Sequence, residues 1–142
     1  MGCRTVCLLV LCLALWATPA WTQRSLPEKE AAAVAAAEEW VSLLDSGKYE
    51  QSWREAAGYL RDLVKEPRRT QAVRAVRNSL GGVISRTLKD TSFKTSLLGV
   101  PDGRYVVIQF DASFENKKSA IETVTPMLDK DGKWRVAGYY VK

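Results

Sequence analysis

Glu122 is the carboxylate of this chain that is best placed for acid–base or polar binding chemistry. It lies in a stretch of alternating residues, and if it points towards the core, Arg86 and Tyr139 are natural partners for its charge. The opposite side of the same stretch, with Ile121 and Met127, is equally apolar. The sequence therefore leaves open which face of this strand is buried.

Residues 1–20 have the pattern of a secretory signal. Arg4 supplies a positive charge, Val6 to Ala17 form an apolar run, and a small-residue cleavage site ends at Ala20. The run is shorter than the roughly 20 residues that a membrane-spanning helix needs. The sequence predicts an exported protein, periplasmic or secreted after cleavage near Ala20, in which residues 21–142 form a single domain.

The sequence lacks the residue types that several kinds of catalytic and metal-binding site require. The chain has no histidine, and its three cysteines all lie within the predicted signal. A Ser–His–Asp triad, a Cys–His pair and a histidine–cysteine zinc site are therefore excluded from the mature chain. Residues 129–132 begin like a calcium loop, but the twelve-residue ligand pattern does not continue, which favours a turn. The sequence predicts no cofactor and no metal.

Aromatic side chains are numerous for a chain of this length, and they combine apolar area with a polar tip. Most of them fit a core, but with the missing catalytic residue types they favour a non-catalytic binding module. It would hold a small apolar or amphipathic ligand, or a partner segment, between sheet and helices. The residues expected to contact this ligand are Trp53, Arg86, Glu122 and Tyr139. The expected cavity would be lined by some of Trp40, Trp53, Phe110, Trp134 and Tyr139.

Two alternative functions fit the same sequence. One is a structural or assembly protein that forms a homodimer through the open face of its sheet. The side chains that would make this face apolar are Tyr105, Val107, Ile121 and Tyr139. The other is a small acid–base enzyme that uses Glu122 together with Arg86. The non-catalytic alternative for Glu122 is a structural salt bridge or an exposed glutamate.

A basic cluster precedes the predicted strands. Its members that could contact an anionic surface are Arg61, Lys65, Arg68 and Arg69. Aromatic residues, which nucleic-acid-binding surfaces usually interleave with the basic ones, do not occur between Tyr59 and Leu80. The cluster therefore predicts no nucleic-acid binding. A solvated helix face is the default interpretation, and weak contact with lipid head groups or acidic polysaccharide is the alternative that fits an exported protein.

Three helices followed by four strands must position these side chains. The helical pattern covers residues 28–44, 48–65 and a third segment that starts near Pro67 and ends at Gly81. Alternating patterns predict strands at about Val83–Leu98, Arg104–Glu115, Lys118–Leu128 and Lys133–Val141. The sequence predicts an α+β fold in which the helices pack on a curved antiparallel sheet, a roll of the cystatin-like or nuclear-transport-factor-2-like kind.

Four separated elements resemble a known family. They are WVSLLDSGKYEQSW, LGGVISR, PDGRYVVIQF and DGKWRVAGYYV, in this order. They look like elements of the bacterial domain-of-unknown-function 4019 family, and the similarity extends from about Ala31 to Val141. The resemblance implies the roll fold and a small exported bacterial protein. It implies no biochemical activity and no functional residues.

Overall fold

The structure is a computed structural model that describes residues 27–142, so the predicted signal at residues 1–20 lies outside the described part. Its helices are α1 (Glu28–Asp45), α2 (Tyr49–Arg54), α3 (Gly58–Leu63) and α4 (Glu66–Leu80). Its strands are β1 (Val83–Lys94), β2 (Tyr105–Phe114), β3 (Lys117–Leu128) and β4 (Trp134–Val141). The α+β class and the four strands are confirmed.

The prediction of three helices is wrong, because residues 48–65 form two short helices. Between α2 and α3 the chain approaches the sheet, and the backbone N–H of Ala57 donates to the carbonyl of Val136 on β4 at 2.9 Å. An N–H used in this way is lost to a helical ladder. Ala56 and Ala57 are both fully buried, and their small side chains permit the approach that interrupts the helix.

The four strands form one antiparallel sheet in the order β1-β2-β3-β4. Each of the three strand pairs contains a register shift. The shift between β3 and β4 lies at Pro126, which has no N–H to donate to a ladder and which an interior strand accommodates at a bulge.

Helix α1 packs across one face of this sheet and forms the core with it. Trp40, Val41 and Leu44 of α1 are buried against the inner side chains of the strands. The fully buried inner side chains include Ile108, Phe110, Val124 and Val136. Glu122 pairs with Phe110 and Val141 in the sheet register, so its side chain lies on the same inner face.

The opposite, outer face of the sheet carries Val107 and Ile121, as expected, but it does not carry Tyr139. Tyr105, the fourth side chain expected there, is only 1% exposed and adds nothing to an open face. Tyr139 pairs with the inner residue Val124 and points to the core. The register shift in β4 places Tyr140 on the outer face in its stead, where it is 56% exposed.

Helix α4 begins with Pro67 in its first turn and ends at Gly81, whose φ of 75° is a conformation that glycine adopts readily. Its buried stripe consists of Thr70, Val73, Arg77 and Leu80. The apolar pattern predicts Val76 on this stripe, but Val76 is 42% exposed and Arg77 is buried in its place.

Candidate functional site

Glu122 lies at the centre of a cluster of charged side chains between the sheet and the helices. Its side chain is completely buried. Arg86 of β1 donates from Nε to Oε2 at 2.5 Å and from Nη2 to Oε1 at 3.2 Å. The hydroxyl of Tyr139 donates to Oε1 at 2.8 Å. Both partners that the sequence proposes for an inward Glu122 are therefore present.

Two further residues complete the cluster. Arg77 of α4 approaches Glu122 Oε1 to 3.4 Å and donates to Oδ1 of Asp45 at 2.6 Å. Asp45, the last residue of α1, also accepts from Nη1 of Arg86 at 2.8 Å. Asp45, Arg77, Arg86, Glu122 and Tyr139 are called the buried ion network below. Its two arginines and two carboxylates balance in charge.

The pKa shifts in this network follow from burial and pairing. Burial acts to raise the pKa of Asp45, but hydrogen bonds and charges of Arg86 and Arg77 outweigh it and lower this pKa. Burial acts to lower the pKa of Arg77 and Arg86, and their partners raise it above the ordinary value. Burial, reinforced by the charge of Glu122, raises the pKa of Tyr139.

The network is saturated. Both oxygens of Glu122 and both oxygens of Asp45 accept hydrogen bonds from within it. A general base needs an accessible lone pair within hydrogen-bond reach of a substrate proton, and Glu122 has no exposed surface. The arrangement therefore joins α1, α4 and the sheet, and its Glu122 carboxylate is closed to a substrate.

Asp45 and Arg77 were not predicted as site residues, although the sequence contains a signal for each of them. Asp45 ends α1, where the helix dipole favours a cation rather than a carboxylate, so it needs a nearby positive partner. Arg77 continues the spacing Thr70, Val73, Leu80 at steps of three and four. An arginine at such a position signals a buried charge that must be paired.

A cleft lies beside this network, between α4 and the end of β4. Arg69, Ala72, Val73 and Val76 line one wall, and residues 139–141 line the other. Its volume is about 170 Å³. Except for Arg69 and the tips of the two tyrosines, its walls are apolar. We call it the α4–β4 cleft.

Arg69 differs from the other arginines of α4. Its Nη2 atom is buried and has no hydrogen-bond partner among residues 27–142. Burial lowers the pKa of Arg69, while the nearby Tyr139 acts in the opposite direction. A guanidinium group stays charged at neutral pH in spite of such a shift. A partly buried charge of this kind is costly unless an anion accompanies it.

The remaining predicted site residues are dispersed. Trp53 is half-buried and donates from Nε1 to the carbonyl of Val64 at 3.0 Å, which ties α2 to the end of α3. The structure places it neither in the buried ion network nor on the wall of the α4–β4 cleft. Phe110 is buried in the core, and Trp40 and Trp134 border an open cleft of about 470 Å³ between α1 and β4.

The basic residues Arg61, Lys65 and Arg68 are exposed, and Arg69 is half-buried. Within residues 27–142 no group of three or more metal-ligating side chains could hold a metal ion. In this part of the chain no helix is long and apolar enough to cross a membrane.

Comparison with known proteins identifies a family. The model of the family described as "Protein of unknown function (DUF4019)" matches residues 36–139. The chain belongs to this family. The DUF4019 match confirms the resemblance expected from the sequence, and it includes all five residues of the buried ion network. No curated protein and no solved structure matches the chain.

Proposed function

We propose that this DUF4019 protein is a non-catalytic binding module that holds a small amphipathic ligand in the α4–β4 cleft. The observation that carries the proposal is the cleft itself, an apolar depression whose wall contains a single arginine. Tyr139, one of the residues expected to contact a ligand, lies in this wall.

Exposed apolar side chains support this location. Val76 of α4 is 42% exposed and lines the cleft, and Tyr140, which is 56% exposed on the outer face of β4, borders it. Apolar surface of this kind, grouped beside polar residues, is typical of ligand or partner sites. A volume of about 170 Å³ lies below the 300–1,000 Å³ of pockets for drug-sized molecules. The ligand is therefore short, or only one end of it enters.

The α4–β4 cleft is not the ligand site that the sequence predicts, which lies between the sheet and the helices. Between the sheet and α1, packed side chains such as Phe110, Leu44 and Trp40 and the buried ion network occupy the space where a cavity was expected. The proposed site is instead the α4–β4 cleft, at the side of α4 where Val76 points outwards.

The alternatives are less well supported. Catalysis by Glu122 with Arg86 would need access to a carboxylate that is fully buried and already bonded. A homodimer that forms through the outer sheet face is less well supported because Tyr139, one of the apolar side chains expected on that face, points to the core instead.

The proposal is tested by titrating the purified full chain with octanoate while recording amide and methyl NMR shifts. Octanoate has about ten non-hydrogen atoms, and the affinity per atom that is usual for small ligands gives it an expected Kd of roughly 0.1–10 mM. We expect the largest shifts at residues 69–76 and 139–141. Shifts that are confined to other regions would contradict the proposal. The absence of shifts at octanoate concentrations above the expected Kd range would also contradict it.

A pair of variants of α4 provides the control. Val76→Asp places a charge on the cleft wall and should abolish octanoate binding. Ala75→Asp places the same charge on the adjacent, exposed position outside the cleft lining, and it should bind as the parent does. Equal binding by both variants would place the ligand elsewhere.

We also propose the finer fold assignment and the localisation that the sequence favours. The α1 helix across an antiparallel sheet with a register shift in every strand pair supports a cystatin-like or nuclear-transport-factor-2-like roll. The pattern of residues 1–20 supports export from a bacterial cell. Mass spectrometry of the protein recovered outside the cytoplasm should give the mass expected after cleavage near Ala20; an intact N-terminus would contradict this.

A further inference from the structure

We propose that the ligand of the α4–β4 cleft is a monocarboxylate with an aliphatic tail, whose carboxylate pairs with Arg69. This inference rests on the proposed function and specifies the chemical class of the ligand. Three observations support it: the state of the Arg69 guanidinium, the polarity gradient along the cleft, and the charges around it.

Arg69 is a donor without an acceptor. Its Nη2 has no partner among the described residues, whereas Arg77 on the same helix pairs with Asp45 and Glu122. The Arg69 side chain has several rotatable bonds, so it can turn this donor towards an oxygen in the cleft. A carboxylate there would supply both the missing hydrogen bond and the missing opposite charge.

The cleft has a polar end and an apolar end. Arg69 lies in the first turn of α4, and Val76 lies seven residues further on the same side, about 10 Å along the axis. Ala72 and Val73 fill the interval. Residues 139–141 of β4 form the opposite wall. A carboxylate at Arg69 therefore directs an alkyl tail along α4 towards Val76.

The surrounding charges favour a single negative charge on the ligand. Arg77 and Arg86 are already matched by Asp45 and Glu122, so they offer no charge to a second anion. The hydroxyl of Tyr139 donates to Glu122 and is equally committed. One arginine balances one carboxylate, whereas a phosphate monoester carries about −1.5 to −2 at pH 7.

The test compares ligands that share a tail and differ in the head group: octanoate, 1-octanol, octylamine and octyl phosphate. Each is titrated into the full chain with NMR detection at the cleft. We expect octanoate to bind about tenfold more tightly than octanol, because a charge-assisted hydrogen bond is roughly twice as strong as a neutral one and only the carboxylate neutralises Arg69. Octylamine should bind most weakly, and octyl phosphate no better than octanoate.

Two neighbouring variants assign the preference to one side chain. Arg69→Gln should remove the advantage of octanoate over octanol and leave octanol binding within about twofold. Arg68→Gln removes the same charge from the adjacent exposed residue and should keep the advantage. Unchanged NMR shifts away from the cleft would verify that both variants are folded.

The outcomes separate this inference from the proposed function. Octanol that binds in the cleft as tightly as octanoate would overturn the carboxylate proposal and leave the binding module intact. Octyl phosphate that binds more tightly than octanoate would also overturn it. If none of the four compounds shifts the cleft residues, the proposed function itself fails.

Discussion

Two arginines of α4, about two turns apart, have opposite environments. Arg77 is buried, pairs with Asp45 and Glu122, and lies over the ring of Phe114 at 5.1 Å. Arg69 is half-buried at the edge of the sheet, and one of its nitrogens has no partner in residues 27–142. Burial of a charge therefore does not by itself identify a binding site. A buried charge whose hydrogen bonds and counter-charges are all present has a structural role. A buried charge that lacks a partner is a candidate for binding a ligand.

The largest effect is expected from Glu122→Gln. The amide cannot balance Arg77 and Arg86, and loss of one member of a buried pair costs about 3–5 kcal/mol of unfolding free energy. Urea unfolding measures this loss. The exposed Glu38 on α1 provides the control: Glu38→Gln should change the stability by less than about 0.5 kcal/mol. Similar values for the two variants would show that the network is not structural.

A somewhat smaller loss is expected from Arg77→Met, about 3 kcal/mol, because the methionine keeps apolar packing on Phe114 while Asp45 and Glu122 lose a partner. Arg74, three residues earlier, forms an exposed pair with Glu50. Arg74→Met should therefore cost at most about 1 kcal/mol. Equal losses for the two variants would contradict the contrast between buried and exposed pairs.

Low pH should also reduce the stability that the buried ion network provides, by less than the two substitutions above. The pKa of Asp45 is lower in the folded state than its ordinary value of 3.8. Asp45 therefore adds stability that is fully present above that value and is lost as the pH falls through the folded pKa. In Asp45→Asn, the unfolding free energy should fall less steeply below about pH 4. Urea unfolding at pH 2–6 measures the slope, and an unchanged slope would exclude Asp45 as a contributor.

The smallest change in stability is expected from Arg69→Met. It removes an uncompensated, partly buried charge and keeps most of the side-chain volume, so stability should stay constant or rise by up to about 1 kcal/mol. Thermal unfolding of Arg69→Met beside Arg77→Met tests the comparison directly. A loss of more than about 1 kcal/mol would mean that Arg69 has a structural partner after all.

Strand positions could be predicted from the sequence, whereas the site could only be predicted in fragments. Alternation located β2, β3 and β4 to within about one residue, because one face of each strand is buried. The inner face of β3 was undecided because both of its faces are rich in apolar residues. The contacts of Glu122 with Arg86 and Tyr139 followed once that face was known.

Other features escaped prediction because they depend on long-range contacts. The break between α2 and α3 arises from a hydrogen bond to β4, about 80 residues further along the chain. The exposure of Val76 arises because a paired arginine occupies the buried position beside it, and apolar periodicity alone cannot detect that exchange. The α4–β4 cleft depends on this exposure, so its location could not be read from the sequence.

The hydrogen bond from Ala57 to Val136 has a consequence for how separate copies of the protein meet. Carbonyl groups of a strand lie in the plane of its sheet, so an acceptor on β4 that bonds to the α2–α3 linker faces away from β3. That acceptor is no longer available as a template for a strand of another molecule. The linker therefore shields part of a border at which edge-to-edge aggregation of sheets would begin.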